Sequence, residues 1–298
     1  MGDIAASVLA RLKNTAKATG RSNQLCLQLF CQEEFLRRLQ KSKYSENFIL
    51  KGGYYIYAIT DFDSRVTFDV DFLANRIPNT PEHIKVILED IISISGENDF
   101  IIFEVRDVNR IGIDNKYTGV RANIITYIKK TRTPFVIDIG IGDVIVPKQE
   151  KRTIPTQIGG FDSPIVNTYS IETTIAEKID AILKLMGTTS RMKDYYDICY
   201  IANKFDFDGK LLSEALRRTF EKRCHIYTIE QFMKVMDFAE DISMQIKWKA
   251  FVRKTNIKFD DFGIVLQTIK GFLEKPFTAT IENKHFTEKW SSVNSKWT

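Results

Sequence analysis

Apolar residues recur along this chain with two different periods, and the change from one to the other divides it. Leu25, Leu29, Phe35, Leu36 and Leu39 stand at helical spacings with Gln and Arg residues largely between them, which predicts an amphipathic helix over residues 22–39. A short apolar run, Asn47-Phe48-Ile49-Leu50, leads into Lys51-Gly52-Gly53 and an apolar stretch to Ile59, the pattern of strand, glycine turn and helix start. Over residues 65–72 the period falls to two: Phe68, Val70 and Phe72 share one face, while Thr67, Asp69 and Asp71 share the other. This predicts a strand with an acidic face. Pro81, followed by Ile84, Ile87, Leu88, Ile91 and Ile92, predicts a helix that closes near Ser95-Gly96. Strand patterns return at residues 100–105, 119–128 and 134–141, the last two forming an antiparallel hairpin about the polar turn Lys129 to Thr133. Beyond the Pro- and Gly-bearing segment 146–164, nearly every stretch from Ser170 onward has helical periodicity. The expected class is therefore α+β, with a mixed sheet and flanking helices over residues 1–167 and a helical domain over 168–298.

Composition narrows the function more than the fold. Hydrophobic residues make up 44% and charged residues 27%, which excludes a disordered or fibrous chain. The net charge of +5 is too mild for a basic coat but compatible with a local groove for a polyanion. Cys26, Cys31, Cys199 and Cys224 contain no C-x-x-C pair, and His83, His225 and His285 are the only histidines, so a structural zinc site is not expected. Adjacent Cys224 and His225 are read as ordinary residues. No apolar run approaches the roughly 20 residues needed to cross a bilayer, and the charged N-terminus does not read as a secretory signal. A soluble, cytoplasmic protein with reduced thiols and no membrane partner is expected.

The candidate chemistry lies in carboxylates. Asp69 and Asp71, at i and i+2 on a strand, project to the same side, and two like charges held there call for a cation; hard oxygen donors favour Mg²⁺ or Mn²⁺. Taken alone, D-x-D also arises on the solvent face of an edge strand. Asp138 stands in the otherwise apolar strand Phe135-Val136-Ile137-Asp138-Ile139, where an unpaired carboxylate is costly, and a shared metal would supply its partner. Gly52-Gly53, between a strand and a helix start, lets backbone amides approach a triphosphate, although a Gly-Gly pair is more commonly a plain turn.

Lys51-Gly52-Gly53, then Arg65-x-Thr67-x-Asp69-x-Asp71, then a third strand aspartate resembles the polymerase-β-like nucleotidyltransferase superfamily. The resemblance implies a nucleotidyltransferase-fold sheet whose three carboxylates, Asp69, Asp71 and Asp138, hold two divalent ions, with the glycine turn holding the triphosphate. Farther on, residues 170–186 form an amphipathic helix with Ile171, Ile175, Ile179 and Ile182 on its apolar stripe and Lys178 at the flank. Arg191-Met192-Lys193-Asp194-Tyr195-Tyr196-Asp197 sets Asp194 and Asp197 at i and i+3, with Arg191 a turn earlier. Each of these, alone, reads as surface salt bridging, Lys178 above all. Together with Ala176-Glu177-Lys178, the ordered set is similar to the AbiEii-type nucleotidyltransferase toxins of type IV toxin–antitoxin and abortive-infection systems, over about residues 48–198.

That resemblance implies an NTP-dependent enzyme that transfers a nucleotide to an acceptor and releases pyrophosphate, the acceptor being the 3′ end of tRNA, which blocks translation. A small hydroxylated acceptor, as in antibiotic-modifying nucleotidyltransferases, and a catalytically idle nucleotide-binding module are the alternatives. It further implies a catalytic set of Asp69, Asp71, Asp138, Lys178 and Asp194, and nucleotide contacts from Lys51, Gly52, Gly53, Arg65, Thr67 and Lys178. Arg191, Lys193 and Asp197 are further candidates, with either Asp194 or Asp197 as the functional aspartate. The helical domain is expected to complete the active-site cleft. Lys129, Lys130, Arg132, Lys148, Lys151 and Arg152 suit an RNA backbone or, equally, a solvated turn and linker. A winged-helix antitoxin encoded alongside is the implied protein partner.

Overall fold

The computed structural model describes residues 3–95, 98–112, 119–255, 257 and 261–298. The chain divides into two compact units, one of residues 1–142 and 150–168, the other of residues 143–149 and 169–298. The helix expected to close near Ser95-Gly96 ends earlier, at Ile92 with Ser93 as its C-cap; Gly96 itself lies outside the described residues.

The first unit begins with α1 (Ile4–Thr19), whose N-terminus is capped by the Asp3 carboxylate and whose C-terminus ends at Gly20 with φ +69°. The sequence reading expected N-terminal helices in this domain but set no bounds for this one. Helix α2 (Asn23–Lys41) starts at the Ser22 cap. It is followed by β1 (Phe48–Lys51), α3 (Gly52–Ile59), β2 (Asp69–Ala74), α4 (Pro81–Ile92), β3 (Ile101–Ile111), β4 (Gly119–Ile128), β5 (Thr131–Ile141), β6 (Glu150–Thr153) and β7 (Ile165–Thr168). The strands form one mixed sheet in the order β3-β4-β5-β2-β1-β7-β6. Strand β2 is central: it runs antiparallel to β1 and parallel to β5, with Lys51 opposite Asp71 and Asp71 level with Asp138. On β5, Phe135, Ile137 and Ile139 are buried, and the alternate positions Asp138 and Gly140 face the more open side.

Two expectations change here. The acidic strand is shorter than its alternation suggested: pairing starts at Asp69, so Arg65 and Thr67 lie in the preceding loop, and Phe68 is 58% exposed instead of joining Val70 and Phe72 in the core. The hairpin turn is tighter, Lys129-Lys130 alone, because Thr131 already pairs with Ile128. In addition, α2 is not an amphipathic surface helix. It is buried from Leu25 to Leu39, polar residues included. Those polar groups satisfy loop backbone: Arg37 Nε donates to the Asp162 carbonyl at 2.6 Å, Arg38 to the carbonyls of Ile92 and Ile101, and Glu33 accepts from the Gln157 amide at 2.5 Å. The bonds from the Arg37 and Arg38 guanidinium groups are charge-assisted and contribute roughly 1.5–3 kcal/mol each, which offsets the cost of burying those heads.

The second unit contains α5 (Ile171–Leu185), α6 (Met192–Lys204), β8 (Phe207–Asp208), α7 (Gly209–Arg223), α8 (Ile229–Met236), α9 (Ile242–Thr255), α10 (Phe262–Ile281), β9 (Lys289–Ser291) and β10 (Lys296–Trp297). It is mainly helical, as the periodicity predicts, with a small sheet β10-β9-β8 added. Trp290 and Trp297 anchor that sheet, donating their indole N–H groups to the carbonyls of Ala202 and Phe272.

Candidate active site

The junction of β1 and α3 is built on a turn that only glycine permits. Gly52 opens α3 with φ +68°, and a Cβ at this position would stand 2.1 Å from Asp71 Oδ2. A Cβ on Gly53 would meet Thr67 Oγ1 at 2.9 Å and Arg65 Nη2 at 3.4 Å. The glycines thus let Asp71, Thr67 and Arg65 crowd against the N-terminus of α3. Lys51 stands at the N-cap of that helix, its side chain making no cap hydrogen bond, and the helix N-terminus carries the positive end of its dipole. The Lys51 ammonium reaches past β2, ending 3.8 Å from where a Gly140 Cβ would be. Lys51, Gly52, Gly53, Arg65, Thr67 and Asp71 are therefore brought together as the sequence suggested, two of them from a loop instead of a strand.

Asp69 and Asp71 project from β2 toward the side on which Asp138 stands on β5. Strand spacing sets Asp71 and Asp138 about 5 Å apart at the backbone. Asp138 has a partner that sequence reasoning missed: Arg121 on β4 grips both its oxygens, at 2.8 and 2.7 Å. Side-chain bonding to Asp138, with Asp69 and Asp71 nearby, holds Arg121 even more firmly in its charged form. A signal for this pair existed. A two-residue turn at Lys129-Lys130 sets Ile128 opposite Thr131, and seven steps back along each arm bring Arg121 to Asp138.

The carboxylate oxygens of Asp69 and Asp71 are the hard, adjacent donors that Mg²⁺ or Mn²⁺ takes, and they fit such an ion. Among the described residues no group of three or more His, Cys, Asp and Glu is drawn together as a metal site; Asp138 is turned to Arg121. The fit therefore concerns the β2 pair first.

The second unit gathers the remaining candidates. Lys178, 8% exposed on α5, donates to Asp194 Oδ1 at 3.1 Å and Asp197 Oδ2 at 2.6 Å, and Arg191 Nε donates to Asp194 Oδ2 at 2.6 Å. Burial would raise the Asp194 pKa, but the charges of Lys178 and Arg191 hold it below the ordinary carboxylate value. Both aspartates thus belong to one buried ion-pair group. Lys193 is exposed and makes none of these contacts. A second buried group, unremarked in the sequence, joins Asp180 to His225 Nδ1 at 2.7 Å, with Tyr227 and Arg223 on the same carboxylate. That is the actual role of the His225 next to exposed Cys224.

A mixed sheet whose central strand carries D-x-D, beside a helix opened by Gly-Gly, defines a nucleotidyltransferase-type enzyme. The chain belongs to the family described as "Nucleotidyl transferase AbiEii toxin, Type IV TA system", which matches residues 34–275. It is thus a toxin-type nucleotidyltransferase. Among solved structures it is similar to MenT4, a nucleotidyltransferase toxin from Mycobacterium tuberculosis, with 16% identity over 76% of this chain and 72% of that one and a TM-score of 0.50. It is also similar to JHP933 from Helicobacter pylori, with 16% identity over 87% of this chain and 97% of that one and a TM-score of 0.48. No curated protein matches the chain. Among the described residues no helix is long and apolar enough to cross a membrane.

Proposed function

We propose that the chain transfers a nucleoside monophosphate from an NTP to the 3′ hydroxyl of an RNA, with tRNA as the acceptor, in a Mg²⁺-dependent reaction that stops translation in the cytoplasm until a cognate antitoxin, encoded alongside, counters it. The observation that carries this reading is the junction of the Gly52-Gly53 helix opening with Asp71, which sets an anion cradle directly beside a pair of hard carboxylates.

In this reading the acceptor oxygen bonds to the α-phosphorus, the bridging P–O bond to the β-phosphate breaks with its electron pair on the departing pyrophosphate, and the hydroxyl proton passes to solvent. The α3 amides, Lys51 and Arg65 bind and orient the triphosphate, and their fixed charge offsets the charge that gathers on pyrophosphate. Asp69 and Asp71 would hold the divalent ion, with Asp138 joining if Arg121 releases it. When bound, the ion supplies Lewis-acid charge stabilisation on the phosphates. Asp69→Asn tests the assignment, because it removes a charge without altering volume. Purified protein is incubated with each α-labelled NTP, Mg²⁺ and total RNA. A labelled RNA from the wild type and none from Asp69→Asn supports the reading. Label on a small hydroxylated compound instead would move the acceptor class, and full transfer by Asp69→Asn would sink the ion site.

A further inference from the structure

Beside Asp69 the first unit has a cleft of about 400 Å³. Its walls come from Phe68 and Asp69 at the start of β2 and from β3, β4 and β5, with Arg106, Asn123, Arg132 and Pro134 around it. Its position relative to the cradle has a chemical meaning. In phosphoryl and nucleotidyl transfer the entering and leaving oxygens lie roughly in line across the phosphorus. The Gly52-Gly53 opening abuts Asp71, and the Lys51 ammonium crosses β2 to Gly140, farther along β5, whereas the cleft opens at Asp69 beside Pro134 and Val136; with pyrophosphate held at the Asp71 end of the carboxylate pair, the acceptor enters from the Asp69 end.

The walls suit a flat ring with a phosphate attached. Phe68 is 58% exposed, an unusual state for a large apolar ring, and its backbone is fixed: the buried amides of Gln28 and Gln32 both donate to its carbonyl, at 2.5 and 2.8 Å. The α2 helix thus spends two buried glutamines on holding an aromatic side chain at the rim of the cleft. Asn123 offers an amide edge, its orientation set by donation to Asp107 at 2.7 Å. Asp107 also accepts from Asn109, so its charge is engaged by two amides. The Arg132 side chain is exposed, and among the described residues its guanidinium makes no hydrogen bond or ion pair. Arg106 is paired with Glu104, and Asp69 and Asp107 also line the cleft, so its attraction for a phosphate is local to Arg132.

We propose that this cleft is the acceptor subsite and takes the 3′-terminal nucleotide of single-stranded RNA, its base stacked on Phe68 and its phosphate drawn to Arg132, with the ribose directed toward Asp69. The proposal rests on the reading of the chain as an RNA-directed transferase, but it concerns binding and is testable without turnover. The probe is a short single-stranded oligoribonucleotide with 5′-fluorescein, compared with the same oligonucleotide carrying an abasic ribose at its 3′ end, each titrated by fluorescence anisotropy in the absence of NTP. The wild type is expected to bind the intact oligonucleotide about tenfold more tightly than the abasic one, within the range measured for stacking one base on an aromatic ring. In Phe68→Ala that ratio falls to about one, while Arg132→Gln weakens both oligonucleotides alike and lowers the salt dependence. Because Phe68 is exposed and Arg132 lies outside the core, unchanged thermal unfolding certifies both variants as folded.

Equal binding of the two oligonucleotides by the wild type overturns the proposal, as does a ratio that survives Phe68→Ala. Failure of the broader reading has a different signature, absence of any labelled RNA in the transfer assay. If transfer occurs, Phe68→Ala should raise the RNA KM and leave the NTP KM unchanged; a raised NTP KM instead would assign the cleft to the nucleotide and end the acceptor proposal.

Discussion

Replacing Lys178 with Met keeps most of the side-chain volume on α5 and removes the ammonium between Asp194 and Asp197. Those carboxylates are 0% and 1% exposed, so their charge cannot be handed to water. Breaking a buried pair from one side costs about 3–5 kcal/mol, mostly as the penalty on the stranded charge. Arg191 still reaches Asp194, which places the expected loss near the lower end, about 3 kcal/mol. For a unit of this size that corresponds to a drop in Tm of roughly 10 °C. Thermal unfolding followed by circular dichroism at pH 7 measures it, and the double variant Lys178→Met with Asp197→Asn should recover part of the loss. The pH dependence has a definite sign. Asp194 has a depressed carboxyl pKa, so its contribution is present above its ordinary value of 3.8 and is lost as the pH falls below that. The wild-type advantage over Lys178→Met should therefore shrink below about pH 4. A variant that melts within a degree or two of the wild type would refute the claim that the ammonium is structurally committed. Transfer rates then have to be compared at a temperature where both are folded. A rate loss that persists there assigns Lys178 to the nucleotide as well, and its disappearance leaves the lysine structural.

Gly52→Ala would add a methyl at φ +68° and 2.1 Å from Asp71 Oδ2. The backbone strain costs roughly 1–2 kcal/mol, whereas displacing Asp71 should lower transfer by about 10²-fold, so activity assays should show a far larger effect than unfolding curves. Arg121→Gln frees both oxygens of Asp138 from a competing cation and should tighten Mn²⁺ binding, read directly from the Mn²⁺ electron paramagnetic resonance signal; unchanged affinity would leave Asp138 as Arg121's partner alone. Burial first of all pushes the Glu33 carboxyl up to about 8, with Arg37 opposing the shift. The native state then keeps a proton that the unfolded chain gives up above its ordinary value of 4.5, and stability falls as the pH rises between these two values. Glu33→Gln should flatten that slope in denaturant titrations and stabilise the protein by up to about 3 kcal/mol at pH 7.

The order of elements through β5, the helical character of the second half and the clustering around Gly52-Gly53 were legible in the sequence because each is written in local periodicity or in glycine's special backbone range. What was hidden depends on partners far along the chain. Phe68 has the alternation of a core residue, and only the start of β2 pairing at Asp69 leaves it outside. The polar residues of α2 looked like a solvent face, yet their partners at Asp162, Gln157 and Ile101 lie more than sixty residues away. Asp138 was recognised as a carboxylate needing a cation. A turn read as five residues instead of two shifted its cross-strand neighbour away from Arg121. Lys178 was placed at the flank of an apolar stripe, which is correct for its Cα, but two aspartates on the next helix enclose its ammonium.

The chain passes from the first unit into the second at residue 143, returns at 150 and leaves again at 169. Residues 143–149 are not idle there: Asp143 pairs with Arg223 at 3.1 Å, the Val146 amide donates to Thr173 Oγ1 at 2.8 Å, and the Ser170 hydroxyl donates back to the Val146 carbonyl. No single cut therefore yields two intact halves. A break at 168, where the hydrophobic texture changes, would carry seven residues of the second half away on the first and strip the start of α5 of its bracing. A recombined toxin that takes its helical half from a relative must bring that relative's counterpart of 143–149 with it, inserted into a foreign sheet between β5 and β6. Inheritance by module is thereby discouraged, and the two halves are bound to change together.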